Sequence, residues 1–218
     1  MNKLIAEFLG TFTLVFAGTG AIIINDLSSG AITHVGIALT FGLVVMAMIY
    51  TYGDISGAQM NPAVTTALAA AGRQPWHSVP GYVTAQSLGA ITASLTLKLL
   101  FPTHASLGAT QPAGVEMQSF IMEVILTAIL MLTILKISRG TKEKGITAAI
   151  AIGGVVGLEA LFAGPICGAS MNPARSLGPA LVSGQIQHLW LYLSATTLGA
   201  LLAIPLDRCT HNATNSVE

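Results

Sequence analysis

Charge is what this chain has least of. Asp, Glu, Lys and Arg make up 8% of its 218 residues, where a soluble domain carries about a quarter, so most of its surface is not built to face water. The charges present are balanced, nine basic against nine acidic, which excludes the basic face that a nucleic-acid partner would need. Cysteine is scarce too: Cys167 and Cys209 are the two, and their spacing matches no metal site. Neither a metal nor a cofactor is expected. No nucleophile stands beside a base and no glycine-rich phosphate loop occurs, so the marks of an enzyme are missing. What is there is apolar. A 53% hydrophobic content and a mean hydropathy of +0.73 describe a chain whose main solvent is the lipid bilayer. Its 23 glycines and eight methionines suit helices packed closely in a membrane.

Six stretches are long enough to span, at about 4–24, 34–52, 81–101, 116–137, 146–164 and 188–206, each close to the ~20 residues a crossing needs. The first follows Lys3 but is longer than the apolar core of a signal peptide, and is expected to be a membrane span. Two connections differ from the rest, 53–80 and 165–187. Each holds the same tetrapeptide, Met60-Asn61-Pro62-Ala63 and Met171-Asn172-Pro173-Ala174, half a chain apart. Each is approached through glycines, Gly53 and Gly57 or Gly164 and Gly168, and is followed by a short apolar piece, Ala63 to Ala71 or Ala174 to Val182. A helix of ~10 residues is ~15 Å long, half of the ~30 Å hydrocarbon core, so each piece can reach the midplane and go no further.

The halves, about 1–103 and 116–206, correspond beyond the motif. Ala6-Glu7-Phe8 resembles Met122-Glu123-Val124, and Leu88-Gly89-Ala90 resembles Leu198-Gly199-Ala200. Three spans per half is an odd number, so the second half must enter from the opposite side. The expected fold is an all-α membrane protein of six spans and two half-helices, an inverted-topology repeat within a single domain, 1–218. Lys3, Arg73, Lys136, Arg139, Lys142, Lys144 and Arg208 fall at the termini and in alternate loops, while loops 25–33 and 102–115 have no Lys or Arg. The positive-inside rule then places both termini in the cytoplasm. Lys98 lies near the outer end of its span and is expected to snorkel outward.

Asparagine is a strong helix N-cap, and proline suits the first helical position, where no N–H is needed. Asn-Pro-Ala therefore reads as a helix start, twice. With inverted topology the two N-termini meet at the midplane, each carrying roughly half a positive charge. Non-helical backbone at that depth must line a cavity or lie within protein. The expected arrangement is a polar path, positive at its centre, with the amides of Asn61 and Asn172 facing each other.

A duplicated Asn-Pro-Ala at this spacing resembles the aquaporins, or major intrinsic proteins, over nearly the whole chain, from Ala6-Glu7-Phe8-Leu9-Gly10-Thr11 to the sixth span. The run Ala163-Gly164-Pro165-Ile166-Cys167-Gly168-Ala169-Ser170-Met171-Asn172 is similar to the nodulin-like intrinsic proteins and their bacterial relatives. The resemblance implies a homotetramer with one pore per protomer, lying in a bilayer and passing water or small neutral solutes while excluding ions and protons. It makes Asn61, Pro62, Ala63, Asn172, Pro173 and Ala174 the pore centre. It also implies an outer constriction with four contributors. Phe41 matches the family's aromatic in the second span, and Ala160 falls where strict water channels carry histidine; Ala169 and Arg175 complete the ring. The first-half counterpart of Arg175 is Val64, so the pore is expected to be asymmetric.

Other positions give a mixed signal. Ser176 and Ala180 resemble water channels, whereas glycerol facilitators usually carry charged residues there; Tyr192-Leu193 departs from the water-channel aromatic pair. Glu7 and Glu123 lie inside spans, where an ionisable residue is functional by default. The resemblance makes them structural acids that hold the motif loops, with a proton relay as the alternative. Glu159 either braces the outer loop or lines the vestibule. Asp54 stands at the inner mouth where many relatives have histidine. His34, His77, His104, His188 and His211 read as surface residues, and Cys167 as an unreactive thiol near the outer pore. The expected function is a passive channel for water and small uncharged solutes, such as glycerol-like polyols, arsenite or boric acid, in a bacterial plasma membrane. The alternatives are a strict water channel and an ion-coupled transporter, which also uses inverted repeats but would need a titratable group where this chain has two asparagines.

Overall fold

The computed structural model describes residues 2–137 and 142–212. Arg139 and the side chains of Lys142, Lys144 and His211 lie outside the described residues. Among the described residues eight α-helices follow in order: α1 (Asn2–Leu27), α2 (Thr33–Ser56), the short α3 (Pro62–Ala70), α4 (Val79–Leu100), α5 (Glu116–Ile137), α6 (Lys142–Cys167), the short α7 (Pro173–Ser183) and α8 (Leu189–Asn212). The six long ones are apolar and long enough to cross a membrane. Several outrun the spans expected from hydropathy, α2 to Ser56, α6 to Cys167 and α8 to Asn212. Hydropathy marks only the lipid core, and a helix continues through the interface because its backbone bonds are internal.

The packing has a two-fold pattern. α1 packs on α4 and α2, as α5 packs on α8 and α6; α4 packs on α7 as α8 packs on α3; α2 meets α6, and α3 meets α7, across the axis. Swapping the halves maps every one of these pairs onto another or onto itself. Glycines set the closest approaches. A Cβ at Gly89 would stand 2.4 Å from the Phe8 carbonyl, and one at its counterpart Gly199 would stand 2.3 Å from the Val124 carbonyl. Gly42 and Gly153 do the same across the axis, each blocking a Cβ against the other's carbonyl, at 2.7 and 2.6 Å. Small residues thus let backbones touch where lipid gives no hydrophobic drive for association. The outward faces carry Leu43, Leu88, Leu95, Ile121, Ile125 and Phe162, all exposed, as a lipid-facing belt requires.

One end of the bundle gathers charge. Arg73, just past α3, and Lys136, at the end of α5, reach the two carboxylate oxygens of buried Asp207 on α8, at 3.6 and 3.2 Å. In the orientation expected from the sequence, this cation-bearing end is the inner one.

Candidate functional site

The two motifs fold alike. Asn61 and Asn172 share one extended conformation, φ −152° and ψ 112°. Asn61 Oδ1 accepts from Ala63 N at 2.9 Å and Val64 N at 3.4 Å. Asn172 Oδ1 accepts from Ala174 N at 2.9 Å and Arg175 N at 3.3 Å. Each caps its half-helix, with Pro62 or Pro173 next in line. Each side chain also crosses the axis: Asn61 Nδ2 donates to the Met171 carbonyl and Asn172 Nδ2 to the Met60 carbonyl, both at 2.7 Å. Each asparagine thus reaches the opposite motif loop rather than the other asparagine. One hydrogen of each amide is spent on the opposite loop, leaving one each for the path.

The loops before the asparagines are bent. Ala58 and Met60 have φ of 43° and 51°, and Ala169 and Met171 have 40° and 52°, values that cost non-glycine residues ~1–3 kcal/mol each. Buried acids hold them. Glu7 accepts from Gln59 N at 2.9 Å, Met60 N at 2.7 Å, Ser56 Oγ at 2.7 Å and Gln86 Nε2 at 2.8 Å. Glu123 accepts from Ser170 N at 2.7 Å and Met171 N at 2.8 Å. Tyr82 donates to the Ser56 carbonyl and Tyr192 to that of Cys167, at 3.0 and 2.9 Å, so each loop is also clamped at its start.

Two cavities run from the ends toward each other. The inner one, about 330 Å³, passes Ile137 and Leu68, then Val64, Ile49 and both asparagines. The outer one, about 440 Å³, is lined by His34, Ile37, Thr110 and Gln111 among others. Four residues belong to both linings, Phe41, Ala160, Ala169 and Arg175, which are the four singled out from the sequence. Arg175 is buried, with Nη1 donating to the Gly108 carbonyl at 2.9 Å. Its guanidinium carbon lies 5.0 Å from the centroid of the Phe41 ring, within range of a cation–π contact. Phe41 has its place because Gly18 on α1 has no side chain; a Cβ there would be 2.2 Å from the ring.

Residues 1–205 match the family described as Major intrinsic protein. The chain is 48% identical over 202 residues to aquaporin NIP1-1 of Zea mays, covering 92% of this chain and 72% of that one. It is 46% identical to nodulin-26 of Glycine max, covering 92% and 74%. The X-ray structure of the aquaglyceroporin of Plasmodium falciparum superimposes with a TM-score of 0.81 at 27% identity, covering 94% of this chain and 93% of that one.

The chain belongs to the major intrinsic protein family. It is an integral, multi-pass membrane channel for water and small neutral solutes, not an enzyme. The relatives from Zea mays and Glycine max are plant proteins and give no support to the bacterial membrane expected from the sequence.

Sequence reasoning missed or misplaced several side chains. Glu159 is buried, is not in either lining, and has no hydrogen-bond partner for its carboxylate among the described residues, so neither expected role is met. Asp54 is exposed on the last turn of α2, outside the inner lining. Cys167 is fully buried, its thiol 3.5 Å from the Ala163 carbonyl. His104 and His188 are paired, with Asp26 at 3.2 Å and Glu116 at 2.7 Å. His34 is exposed, as it reads from the sequence, and it also lines the outer cavity and meets the Leu161 carbonyl at 2.7 Å. A hydroxyl chain behind the neck, Thr110 to Ser176 to Ser170 at 2.8 and 2.6 Å, joins three residues from two separate loops and a half-helix and left no local signal.

Proposed function

We propose that this channel passes water together with glycerol-sized neutral solutes and neutral metalloid hydroxides, such as arsenous or boric acid, and excludes ions and protons. In this reading Phe41, Ala160, Ala169 and Arg175 form the selectivity filter, and the two Asn-Pro-Ala segments form the pore centre. The observation that carries it is that these four residues are common to both cavity linings. Two of the four walls are methyl groups. A solute with a carbon face can lie against Ala160, Ala169 and Phe41 while its hydroxyls turn to Arg175. That matters because a solute stripped of water needs replacement hydrogen bonds, each missing one costing about 1–3 kcal/mol. The likeness to a protein named an aquaglyceroporin points the same way.

Ion exclusion follows from three terms. The half-helix N-termini and Arg175 repel cations, and a narrow neck cannot replace an ion's hydration shell. The halves are read as repeats 1–103 and 116–206 of one domain, and the working unit as a homotetramer with a pore in each protomer. Both termini are assigned to the cytoplasm. The meeting of Arg73 and Lys136 at one end supports that orientation through the positive-inside rule.

One observation favours the strict water channel instead: the Phe41 ring closes on Arg175 across 5.0 Å, leaving little width between them. Stopped-flow permeability of proteoliposomes separates the two readings. The parent should admit glycerol and arsenous acid well above the lipid background. Ala160→His, which fills a methyl-lined wall, should lose most of that entry and keep water flow. A parent that swells in water yet admits neither solute is a strict water channel.

A further inference from the structure

The outer half of α6 is interrupted one turn beyond Ala160. Pro165 lies inside the helix and has no N–H, so the carbonyl four residues back, that of Leu161, loses its helical donor. At membrane depth a freed carbonyl is tolerated where a protein group reaches it or where it lines a water-filled cavity. His34 does, with Nε2 2.7 Å from the Leu161 oxygen. A carbonyl only accepts, so Nε2 carries the hydrogen. The imidazole can come this close because residue 164 is glycine; a Cβ there would stand 2.9 Å from His34 Cε1. A proline, a glycine and a histidine thus make one joint between α2 and α6.

The joint sits over the neck. His34, Ile37, Ala38 and Phe41 follow one another along a single face of α2, at the i, i+3, i+4 and i+7 spacing, and all four line the outer cavity. On the other side Leu161 is the residue after Ala160. Deeper in the membrane the same two helices are locked by Gly42 and Gly153. His34 is the outer clasp of that pair, tying the helix that carries Phe41 to the turn that carries Ala160.

We propose that His34 is a positioning residue for the neck: by donating to the carbonyl that Pro165 strands, it fixes α6 against α2 and sets the largest neutral solute that passes. This rests on the filter assigned to Phe41, Ala160, Ala169 and Arg175, and adds a residue outside it.

The test is the erythritol-to-water permeability ratio of proteoliposomes, because water flow is measurable whatever the solute limit. His34→Ala should raise that ratio roughly threefold or more, the scale of one net hydrogen bond. His34→Gln, whose amide can donate to the same carbonyl, should return most of the way to the parent. The decisive comparison is made in the Pro165→Ala background. There the N–H of residue 165 closes the helix onto Leu161, and removing His34 should change the ratio by less than about 1.5-fold, as a coupled pair requires. A parental ratio in His34→Ala, or an equal shift in both backgrounds, overturns the clasp. Ala160→His separates the two possible failures. If it leaves solute entry unaltered, the filter reading has failed; if it blocks entry while His34→Ala does nothing, only the clasp has. Should His34→Ala not assemble, Gly164→Ala is read the same way, since its methyl carbon displaces the imidazole.

Discussion

In the first half of the pore Glu7 holds the loop at Gln59 and Met60; in the second Glu123 holds it at Ser170 and Met171. Tyr82 and Tyr192 clamp matching carbonyls, Gly89 and Gly199 admit matching neighbours, and Asn61 and Asn172 have the same dihedral angles. The linings do not repeat in this way. The offset that carries Asn61 to Asn172 also carries Phe41 to Ile152, Ile49 to Ala160, Ala58 to Ala169 and Val64 to Arg175. Ile49, Ala58, Val64 and Ile152 all line the inner cavity, so the same four positions are apolar along the inner cavity and hold one cation and one aromatic at the neck. Residues that hold backbone are kept in both halves because both loops face the same unmet N–H groups. Residues that face the path are free to diverge, and in this chain charge went to one side.

The anchors give the largest expected effect and the first way to break the comparison. Glu7 satisfies four donors and Glu123 two backbone N–H groups, and each buried donor left unmet costs about 1–3 kcal/mol. Glu7→Leu should destabilise the detergent-solubilised protein by roughly 3–5 kcal/mol, in the range for breaking a buried charged network, and Glu123→Leu by less. Thermal unfolding midpoints rank them. Equal losses, or a larger one at Glu123, would show that the second anchor carries bonds beyond its two loop N–H groups.

Arg175 against Val64 sharpens the other side of the comparison. A unit charge ~5 Å from a permeating cation contributes about 3 kcal/mol at an effective dielectric of ~20. Arg175→Val should therefore raise proton or potassium leak by up to roughly a hundredfold, read with a pH-sensitive dye in loaded liposomes, while water flow survives. Val64→Ala removes no charge and should leave the leak at the parental level. A tight Arg175→Val channel would mean that the half-helix N-termini and desolvation suffice alone.

How much of this is legible in the residues depends on whether a signal is local or repeated. The six spans and the two half-helices capped by Asn61 and Asn172 are readable because hydropathy, capping chemistry and a duplicated motif all point one way. The four neck residues come from resemblance, since nothing in Phe41 or Ala160 alone distinguishes a pore wall from a core residue. His34 reads as surface and is exposed, but its partner does not show in the sequence, being a backbone carbonyl on a distant helix freed by a proline. The charge of Glu159 suggests a polar task, yet it is buried with no donor among the described residues; only packing could show that. The space that Gly18 leaves for the Phe41 ring is likewise a fact about two helices, not about either sequence.

The smallest expected effect tests the symmetry itself. Each asparagine makes a cap of about 1 kcal/mol and one hydrogen bond across the axis of about the same net worth. Alanine at either position removes both and also leaves the opposite loop carbonyl, Met171 or Met60, without that donor. Asn61→Ala and Asn172→Ala should therefore each lower stability by roughly 2 kcal/mol, the cap and the crossing bond together. The two losses should be nearly equal, seen as overlapping unfolding curves. The double variant gives a second reading. The two crossing bonds run to backbone, not to each other, so each single change leaves the other asparagine's bond formally intact. If the junction behaves as two separate bonds, the losses add to within about 0.5 kcal/mol. A double loss well below the sum would show that cutting one crossing already releases the other loop, and that the two half-helices stand or fall as one unit.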